Sequence, residues 1–410
     1  MSFLGLRDNV FLVEGAHNHA IYDFNSCRLY SINHFTLSFI RHCISAEIIE
    51  NSITQDDNAC LSFLLSNSLL EPTNQIKPEN KIESHFSGGN KSFNYAWIEL
   101  TNLCNLRCKH CYSSQDSTRP GYMNLNSFSR VINELLSVGV KNIQLIGGEP
   151  LILQKKLKEM IYMVVDAFKR VSIYTNATLI DSDWARFFSN QKIYVNTTVY
   201  SYSANEHDKV TKRPGSHKKT NKAIQYLKNF GANYSVSCVR MNGVQPGNKQ
   251  TDLYNLDIRH DVVRNCGRAD FKLLNRELLR EKIITKKRFS RPLKPKISSL
   301  LASGHNCFSQ KIYITHDLRV YPCPMERGIE YGSLEENKLN QIIEKMSPIN
   351  KNAIKVCKDC EYRYACMDCR PDRLENDLLA KPWYCSYDPY KSTWQPVDDF
   401  IHSFKRYYST

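Results

Sequence analysis

The feature that most constrains this chain is a group of three closely spaced cysteines. Cys104, Cys108 and Cys111 lie in the run Cys-Asn-Leu-Arg-Cys-Lys-His-Cys-Tyr. Three thiolates at this spacing can bind three irons of a [4Fe–4S] cubane and leave the fourth iron open to another molecule. A zinc knuckle is the alternative, but it needs a fourth ligand, and His110 is too crowded between two of the cysteines to close the site well. The spacing therefore favours an iron–sulfur cluster with one open position.

A glycine-rich strand end follows about forty residues after the first cysteine. The buried strand predicted from Lys141 to Ile146 ends in Gly147-Gly148-Glu149-Pro150. Two glycines let the backbone approach a ligand closely, and the Glu149 carboxylate can pair with an ammonium group. Alone this motif indicates a turn, whereas at this distance from the cysteines it indicates a ligand site.

Strand and helix patterns alternate from residue 95 to residue 241. After a strand at 94–103, the predicted elements are Leu125–Val138, Lys141–Ile146, Val171–Thr175, Asp181–Asn190, Tyr194–Ser201, His217–Phe230 and Tyr234–Val239. Strands separated by helices of ten to fifteen residues form parallel βα units. Ligands bind at the carboxyl ends of such strands. We therefore expect an α/β fold, a partial (β/α)6 barrel, with its site at that edge.

These features together resemble the radical S-adenosylmethionine (SAM) superfamily from about Tyr95 to Met241. The resemblance implies that Cys104, Cys108 and Cys111 bind a catalytic [4Fe–4S] cluster. It also implies a set of SAM contacts, namely Tyr112 beside the adenine, Gly147, Gly148 and Glu149 at the amino group, Asn176 at a strand end, Ser203 near the ribose and Arg240 at the carboxylate.

A second group of seven cysteines lies near the C-terminus. These are Cys307, Cys323, Cys357, Cys360, Cys366, Cys369 and Cys385. Paired CxxC motifs alone indicate zinc, but a five-residue spacer is tight for one tetrahedral site and leaves three cysteines over. The group resembles the SPASM extension of radical SAM enzymes, which carries two auxiliary iron–sulfur clusters. By that resemblance, Cys357, Cys360, Cys366 and Cys385 bind one cluster, and Cys307, Cys323 and Cys369 bind the other.

Three positions depart from the usual SPASM pattern. Leu318 stands where the turn of the hairpin Ile312–Pro324 usually has glycine, so we expect that turn to take another form. Two residues, where the family more often has three, separate Cys369 from the preceding cysteine. Pro324 follows Cys323 where sulfatase-maturing relatives carry an aspartate base, which argues against sulfatase maturation.

The remaining cysteines have less defined roles. The cluster that holds Cys307 has three evident ligands, and its fourth ligand is Cys266, another side chain or the substrate. Four others are expected to be small buried residues, Cys27, Cys43, Cys60 and Cys238.

The N-terminal segment predicts a winged-helix outline. Its predicted strands are Asn9–Glu14, His19–Phe24 and Arg28–Ile32, its predicted helices are Phe35–Ile44 and Gln55–Leu70, and residues 72–90 form a polar linker. Such a domain serves as a packing lid, binds DNA, or adds a peptide to its strand edge. Residues 1–90 contain five Lys/Arg against ten Asp/Glu, which argues against DNA because phosphate contacts need basic side chains.

Composition indicates a cytoplasmic protein with two or three domains. The 410 residues carry a net charge of +14, and Arg276–Lys296 holds nine basic residues against two acidic ones. A run of this kind is most often a solvated face, and it can also attract an acidic peptide. We expect no secretory leader, because the first eight residues lack a charged-then-apolar pattern, and no apolar stretch is long enough for a membrane helix.

Both ends of the chain resemble the SPASM maturases of "grasp-with-spasm" peptide systems, in Asn9-Val-Phe-Leu-Val-Glu-Gly-Ala and in the run from Cys360 to Pro371. The resemblance implies a leader-recognition domain at 1–75, a radical SAM core at 92–300, a SPASM domain at 301–390 and a tail at 391–410. It implies that a 5′-deoxyadenosyl radical cross-links or oxidises a ribosomal precursor peptide. The expected partners are this peptide, an ATP-grasp ligase and an electron donor such as flavodoxin or ferredoxin. The alternatives are maturation of a whole protein, a DNA-binding iron–sulfur or zinc redox regulator, and a scaffold that only presents a peptide to a ligase.

Overall fold

The computed structural model describes residues 3–45, 54–79, 81–87, 93–113, 121–244, 258–306, 308, 310–346, 349–374 and 377–408. The strands are β1 (Phe3–Leu6), β2 (Val10–Val13), β3 (His19–Asp23), β4 (Arg28–Ile32), β5 (Leu70–Thr73), β6 (Tyr95–Glu99), β7 (Asn142–Ile146), β8 (Arg170–Tyr174), β9 (Tyr194–Thr198), β10 (Tyr234–Arg240), β11 (Arg259–Val262), β12 (Lys311–Ile314), β13 (Arg319–Tyr321), β14 (Gly332–Ser333), β15 (Tyr387–Asp388) and β16 (Thr393–Trp394). The helices are α1 (His34–Ser45), α2 (Gln55–Ser66), α3 (Ile82–Ser87), α4 (Leu125–Ser137), α5 (Lys155–Val164), α6 (Ser182–Asn190), α7 (Ala204–Thr211), α8 (Ser216–Asn229), α9 (Arg276–Lys282), α10 (Pro295–Ser303), α11 (Leu339–Lys345) and α12 (Val397–Ser403).

The core of the molecule is a nine-stranded sheet in the order β11-β10-β9-β8-β7-β6-β12-β13-β14. Strands β6 to β11 are parallel to their neighbours, as is β12 to β6, whereas β13 and β14 are antiparallel. Helices α4 to α8 connect the strands from β6 to β10. The predicted α/β fold with parallel βα units is therefore confirmed. β12 and β13 form the predicted hairpin, whereas α5, α7, β11 and β14 were not predicted.

Local sequence signals explain where the helices begin. Asn124 accepts a hydrogen bond from the backbone N–H of Ser127 and caps α4, and Asp181 does the same for Trp184 in α6. Short polar side chains favour these positions because they satisfy backbone donors that the first helical turn leaves open. The buried face of α4 carries Phe128, Val131, Ile132 and Leu135, at the three- and four-residue spacing of an amphipathic helix.

The two faces of the sheet have different roles. Ala96 and Ile98 of β6 pack into the main hydrophobic core beneath the helices. Trp97 lies on the opposite face and packs near Ile146 and Tyr313. Side chains alternate along a strand, so Glu99 shares this inner face with Trp97. The inner face is where a partial barrel can hold a substrate.

The N-terminal region contains the predicted three-stranded sheet, in the order β2-β3-β4. The predicted helices are present as α1 and α2. A pairing that the pattern did not predict joins β1 to β5 in antiparallel register, with Leu6 opposite Leu70. The segment predicted as a polar linker holds the end of β5 and the helix α3 in its described part. Its residue Ile82 is fully buried, which gives this short helix a packing face.

The N-terminal sheet packs against the C-terminal cysteine segment. The backbone N–H of Ala16 donates to the carbonyl of Asp359 at 2.8 Å, and the Tyr22 hydroxyl donates to the carbonyl of Glu361 at 2.9 Å. Arg363 donates to the carbonyl of Glu14 at 2.5 Å. The two ends of the chain are therefore joined directly, beside Cys360.

The turn between β12 and β13 corrects a prediction. Leu318 adopts φ +64°, the left-handed conformation that glycine usually provides at this position, so the expectation of another turn form is wrong. The backbone N–H of Arg319 donates to the Thr315 hydroxyl at 3.0 Å and helps to hold the turn. The Leu318 side chain is buried in the main core, which offsets the cost of the conformation.

Part of the basic run is paired within the chain. Arg276 and Arg280 of α9 both form ion pairs with Asp398 of α12, and Lys282 lies 2.5 Å from Asp372. Within the described segments, no helix is both long enough and apolar enough to cross a membrane.

Candidate active site

The loop that carries Cys104, Cys108 and Cys111 follows β6 at the carboxyl edge of the sheet. Backbone N–H groups of the Gly-Gly-Glu turn donate into this loop, from Gly148 to the Thr101 carbonyl and from Glu149 to the Leu103 carbonyl, both at 2.8 Å. On its other side, the loop donates to the end of α7, from Arg107 to the Thr211 carbonyl at 3.0 Å. The loop is thus held between the ends of neighbouring βα units.

The three thiols of this loop lie close to one another. Burial raises the pKa of Cys104 to about 12, with a further contribution from Cys108 and Cys111. Burial and the neighbouring Cys111 raise the pKa of Cys108 to about 11. Cys104 and Cys108 would release their protons on binding a metal cation, because metal ligands must be deprotonated.

Tyr200 is a contact of this loop that the sequence prediction missed. Its hydroxyl hydrogen-bonds with the Cys108 thiol, and its ring lies 4.7 Å from that of His110. Burial lowers the pKa of His110 to about 4, so the ring is neutral, and its Nδ1 has no hydrogen-bond partner among the described residues. The available signal was the position of Tyr200 at the end of a predicted strand.

The Gly-Gly-Glu turn requires its first glycine. Gly147 has φ +155°, and a Cβ added there would clash with the carbonyl oxygen of Thr101. The structure thus brings Gly147, Gly148 and Glu149 directly against the residues that precede Cys104.

Glu149 is fully buried and acts as a brace beneath the site. Its carboxylate accepts hydrogen bonds from the N–H of Leu151 at 3.0 Å, the hydroxyl of Thr175 at 2.7 Å and the N–H of Asn176 at 2.8 Å. Burial raises the pKa of Glu149 to about 7, although the hydrogen bonds oppose this rise. The side chain therefore ties the end of β7 to the end of β8, and its role toward an ammonium group remains a prediction.

Asn176 connects the end of β8 to the cysteine loop. Its amide nitrogen donates to Asn105 at 2.9 Å and lies 3.9 Å from the Cys104 sulfur. Its amide oxygen accepts from the backbone N–H of Thr178 at 2.9 Å. The structure therefore brings this predicted residue to the cysteines.

Three other predicted contacts lie around the same edge, and their roles stay predictions. Ser203 is exposed at the start of α7, where its N–H donates to the Ser201 hydroxyl at 3.0 Å. Tyr112 follows the third cysteine and is half-buried. Arg240 is the last residue of β10, pairs with Glu281 of α9, and has a buried Nε with no hydrogen-bond partner among the described residues.

A polar group on the inner face of the sheet was also missed. The buried Glu99 carboxylate accepts from Tyr313, from His316 Nδ1 at 2.8 Å and from Arg327 at 2.6 Å. Burial tends to raise the pKa of Glu99, but the His316 hydrogen bond and the Arg327 charge lower it overall. These residues come from positions 214 to 228 further along the chain than Glu99, so no local pattern joins them.

Four C-terminal cysteines, which make up one of the two predicted sets, line one cavity. They are Cys357, Cys360, Cys366 and Cys385. Apolar side chains of Ile284, Phe289 and Trp394 line the same cavity. Burial raises the pKa of Cys357 to about 12 and that of Cys360 well above its usual value.

Buried charges lie next to this cavity. Lys351, which lines it, donates to Asp368 at 2.5 Å, and Arg370 also pairs with Asp368. His305 Nε2 lies 2.7 Å from the same carboxylate. Two cations and one carboxylate leave a positive excess, which suits a neighbour made of thiolates.

The other predicted set contains Cys323, Cys369 and Cys307, and Cys307 lies outside the described residues. The thiols of Cys323 and Cys369 lie near Cys266, for which burial and then Cys369 raise the pKa to about 12. Among the described residues, no three His, Cys, Asp or Glu side chains converge on one point as the ligands of a single metal ion do. Thiolates of a cubane bind different irons and lie farther apart than the ligands of one ion.

Sequence comparison finds known relatives for the part of the chain that carries the cysteine loop and the Gly-Gly-Glu turn. The profile of the Radical SAM superfamily matches residues 98–253. The antilisterial bacteriocin subtilosin biosynthesis protein AlbA of Bacillus subtilis (strain 168) is 31% identical over 139 residues, which are 33% of this chain and 31% of that protein. GTP 3′,8-cyclase of Stenotrophomonas maltophilia (strain K279a) is 36% identical over 97 residues, 23% of this chain and 29% of that enzyme. The chain thus spans about a third of the length of these curated relatives.

Solved structures share the fold over more of the chain. Native anSMEcpe with bound AdoMet has a TM-score of 0.52 at 19% identity, covering 75% of this chain and 97% of that one. Streptococcus suis SuiB bound to the precursor peptide SuiA also has a TM-score of 0.52, at 13% identity, covering 93% of this chain and 99% of that one. Both show that the architecture described above is an established one.

Proposed function

We propose that this chain, which carries a radical SAM domain at residues 98–253, is an enzyme that cross-links or oxidises a ribosomally synthesised precursor peptide. The proposal depends on one observation. The three thiols, the Gly-Gly-Glu turn and Asn176 lie together at one edge of a parallel sheet. The similarity to AlbA, a bacteriocin biosynthesis protein, supports a peptide as the substrate.

The residues of the site fit a [4Fe–4S] cluster and SAM. Soft thiolates of Cys104, Cys108 and Cys111 are the ligands that iron–sulfur clusters take. Three protein ligands would leave one position of the cluster open to SAM. The turn at Gly147 has no side chain in the way, and the buried Arg240 Nε has no hydrogen-bond partner among the described residues. When bound, the pair supplies a radical able to remove hydrogen from an unactivated carbon.

The chain itself supplies orientation and exclusion of water. Asn176 and Tyr200 contact the sulfurs of Cys104 and Cys108 and hold the cysteine loop in place. Glu149 fixes the turn to the next strand from below. The inner face of the sheet, with Glu99, Tyr313 and Arg327, provides polar partners for a peptide that lies in the barrel.

Two auxiliary [4Fe–4S] clusters would occupy the C-terminal cysteines. The shared cavity of Cys357, Cys360, Cys366 and Cys385 supports one of them, and its excess of buried positive charge suits a thiolate-rich cluster. The second would use Cys307, Cys323 and Cys369. These two clusters would accept an electron from the product or bind the substrate.

The N-terminal sheet would bind the leader of the precursor. Among the described strands, β4 pairs with β3 alone, and its residues Arg28 and Ser31 are exposed. An extended peptide can add to such an edge through its backbone. We assign leader recognition to residues 1–75, the radical SAM core to 92–300, the SPASM unit to 301–390 and a tail to 391–410.

The remaining partners are an ATP-grasp ligase and an electron donor such as flavodoxin or ferredoxin. The enzyme would work in the cytoplasm, where thiols stay reduced and free to bind iron.

Formation of 5′-deoxyadenosine tests the proposal. Anaerobically reconstituted protein, given SAM and dithionite, should release deoxyadenosine, and Cys108→Ala should reduce this to background because the cluster loses a ligand. Cys43→Ala, which alters a buried cysteine of the N-terminal core, should retain the activity. Undiminished deoxyadenosine in the Cys108 variant would sink the assignment.

A further inference from the structure

We propose that Cys266 is an iron ligand and completes, with Cys323 and Cys369, the auxiliary cluster that otherwise has three predicted ligands. The inference rests on the proposed function for its iron–sulfur chemistry. Cys266 lies outside the C-terminal cysteine group, 41 positions before Cys307 in the chain.

The segment that carries Cys266 is bound to the loop that follows Cys369. The backbone N–H of Asn265 donates to the Asp372 carboxylate at 3.0 Å, and its side-chain amide donates to the Arg373 carbonyl at 2.6 Å. Asp372 in turn donates its backbone N–H to the Cys369 carbonyl at 3.2 Å. Asn265, the residue before Cys266, therefore binds the loop that follows Cys369.

The same loop is bound to the turn that follows Cys323. Arg373 lies 3.1 Å from the carboxylate of Glu326, which is 1% exposed. Glu326 donates its backbone N–H to the Cys323 carbonyl at 3.1 Å. Hydrogen bonds and an ion pair therefore join the three loops that carry Cys266, Cys369 and Cys323, at residues close to each cysteine.

The thiol of Cys266 has the surroundings of a ligand. The thiols of Cys369 and Cys323 are neighbours of the partly buried Cys266 thiol. The guanidinium of Arg264, two positions before Cys266, lies 3.0 Å from Asp261 and is a further neighbour of Cys369. By contrast, the thiol of the buried Cys238 lies 3.6 Å from the Tyr200 carbonyl.

The next two residues contact the catalytic cysteine loop. Gly267 has φ +64°, and a Cβ added there would clash with the carbonyl oxygens of Cys111 and Tyr112. The backbone N–H of Arg268 donates to the Cys111 carbonyl at 2.9 Å. A cluster bound by Cys266 would therefore lie directly behind the loop that binds the catalytic cluster.

The test uses a protein that cannot bind the catalytic cluster, so that only the auxiliary clusters contribute iron and spectral signals. In the Cys104→Ala/Cys108→Ala/Cys111→Ala protein, anaerobically reconstituted, we expect about eight irons in two cubanes. Adding Cys266→Ala should change the electron paramagnetic resonance spectrum of one reduced cluster and make it respond to cyanide, because one iron loses its thiolate. Cys266→Ser should keep the iron with a shifted spectrum, since a serine oxygen can replace the sulfur.

The matched control is Cys238→Ala in the same background, which alters a buried cysteine of β10 and should leave the spectrum and the cyanide response unchanged. A Cys266→Ala spectrum identical to this control would overturn the inference, as would zinc in place of iron. These outcomes are separable from the deoxyadenosine assay. A wild-type protein that fails to cleave SAM sinks the proposed function, whereas a cleaving protein with an unaltered Cys266→Ala spectrum sinks only the ligand.

Discussion

At the scale of single residues, Glu149 is a fully buried acid that accepts a hydrogen bond from Asn176 of the site. An acid whose pKa is raised by folding stabilises the fold below its unfolded pKa and loses that contribution as the pH rises through the folded pKa. For Glu149 the interval runs from 4.5 to about 7. Because the Glu149 side chain is fully buried, solvent does not screen its charge and does not weaken this pH dependence.

We therefore expect the unfolding free energy of the apoprotein to fall by up to about 3 kcal/mol across this interval because of Glu149. Glu149→Gln carries no such charge and should lack this fall. Urea unfolding at pH 4.5, 6 and 7.5 measures it as the difference between the two proteins, which cancels groups that titrate in both. A difference that does not change with pH would show that the carboxylate ionises in the folded state as easily as in the unfolded chain.

At the scale of elements, the turn between β12 and β13 sets two energies against each other. A left-handed leucine costs about 1–2 kcal/mol, whereas removing a buried leucine side chain costs about 2–5 kcal/mol. The packing contribution is larger. This explains how Leu318 can stand where glycine is usual.

Leu318→Gly should therefore destabilise the protein, by roughly 2 kcal/mol, even though it relieves the backbone. Lys192→Gly is the matched control, because Lys192 has φ +54° with an exposed side chain and has strain to lose without packing. It should be neutral or slightly stabilising in urea unfolding. A Leu318 variant as stable as the wild type would mean that the side chain contributes little to the core.

The elements that the sequence predicted are those with strong local signals. Helical patterns in the sequence predicted α4, α6 and α8, whereas α5 and α7 were not predicted, and the cysteine spacing located the loop. The pairing of β1 with β5 depends on residues 64 to 70 positions apart, and no local pattern encodes it. Leu318 was mispredicted because residue type indicates the usual conformation, whereas burial of the side chain decides the actual one.

In the candidate site, too, the sequence predicted the parts that local patterns encode. The cysteines, the Gly-Gly-Glu turn and Asn176 lie at strand ends, and parallel topology brings such ends together. Tyr200, Glu99 and Cys266 acquire their partners only through tertiary packing. Their partners could not be named before the loops were placed.

At the scale of the whole molecule, the contact between the N-terminal sheet and the C-terminal cysteine segment joins the region proposed to bind the leader to a proposed cluster. Tyr22 is fully buried there, and its hydroxyl donates to a backbone carbonyl 339 positions away. A buried carbonyl that loses its donor costs about 1–3 kcal/mol.

Tyr22→Phe should accordingly lower the unfolding free energy by about 1–2 kcal/mol. Tyr30→Phe is its control, because the Tyr30 hydroxyl bonds at 3.4 Å within the N-terminal unit and is only partly buried. It should cost less than about 0.5 kcal/mol. Equal losses in chemical denaturation would show that the contact between the two ends contributes nothing specific.

This contact also sets an order for biosynthesis. The ribosome makes the β2–β3 hairpin before Glu361, which follows 339 residues after Tyr22. At about 5–20 residues per second, the hairpin waits roughly 20–70 s for the surface that covers it. Cys357 to Cys385 are made long after the hairpin, so iron delivery to them and closure of the N-terminal sheet beside them fall in the same period. We therefore expect iron to reach these cysteines more easily before the two regions meet.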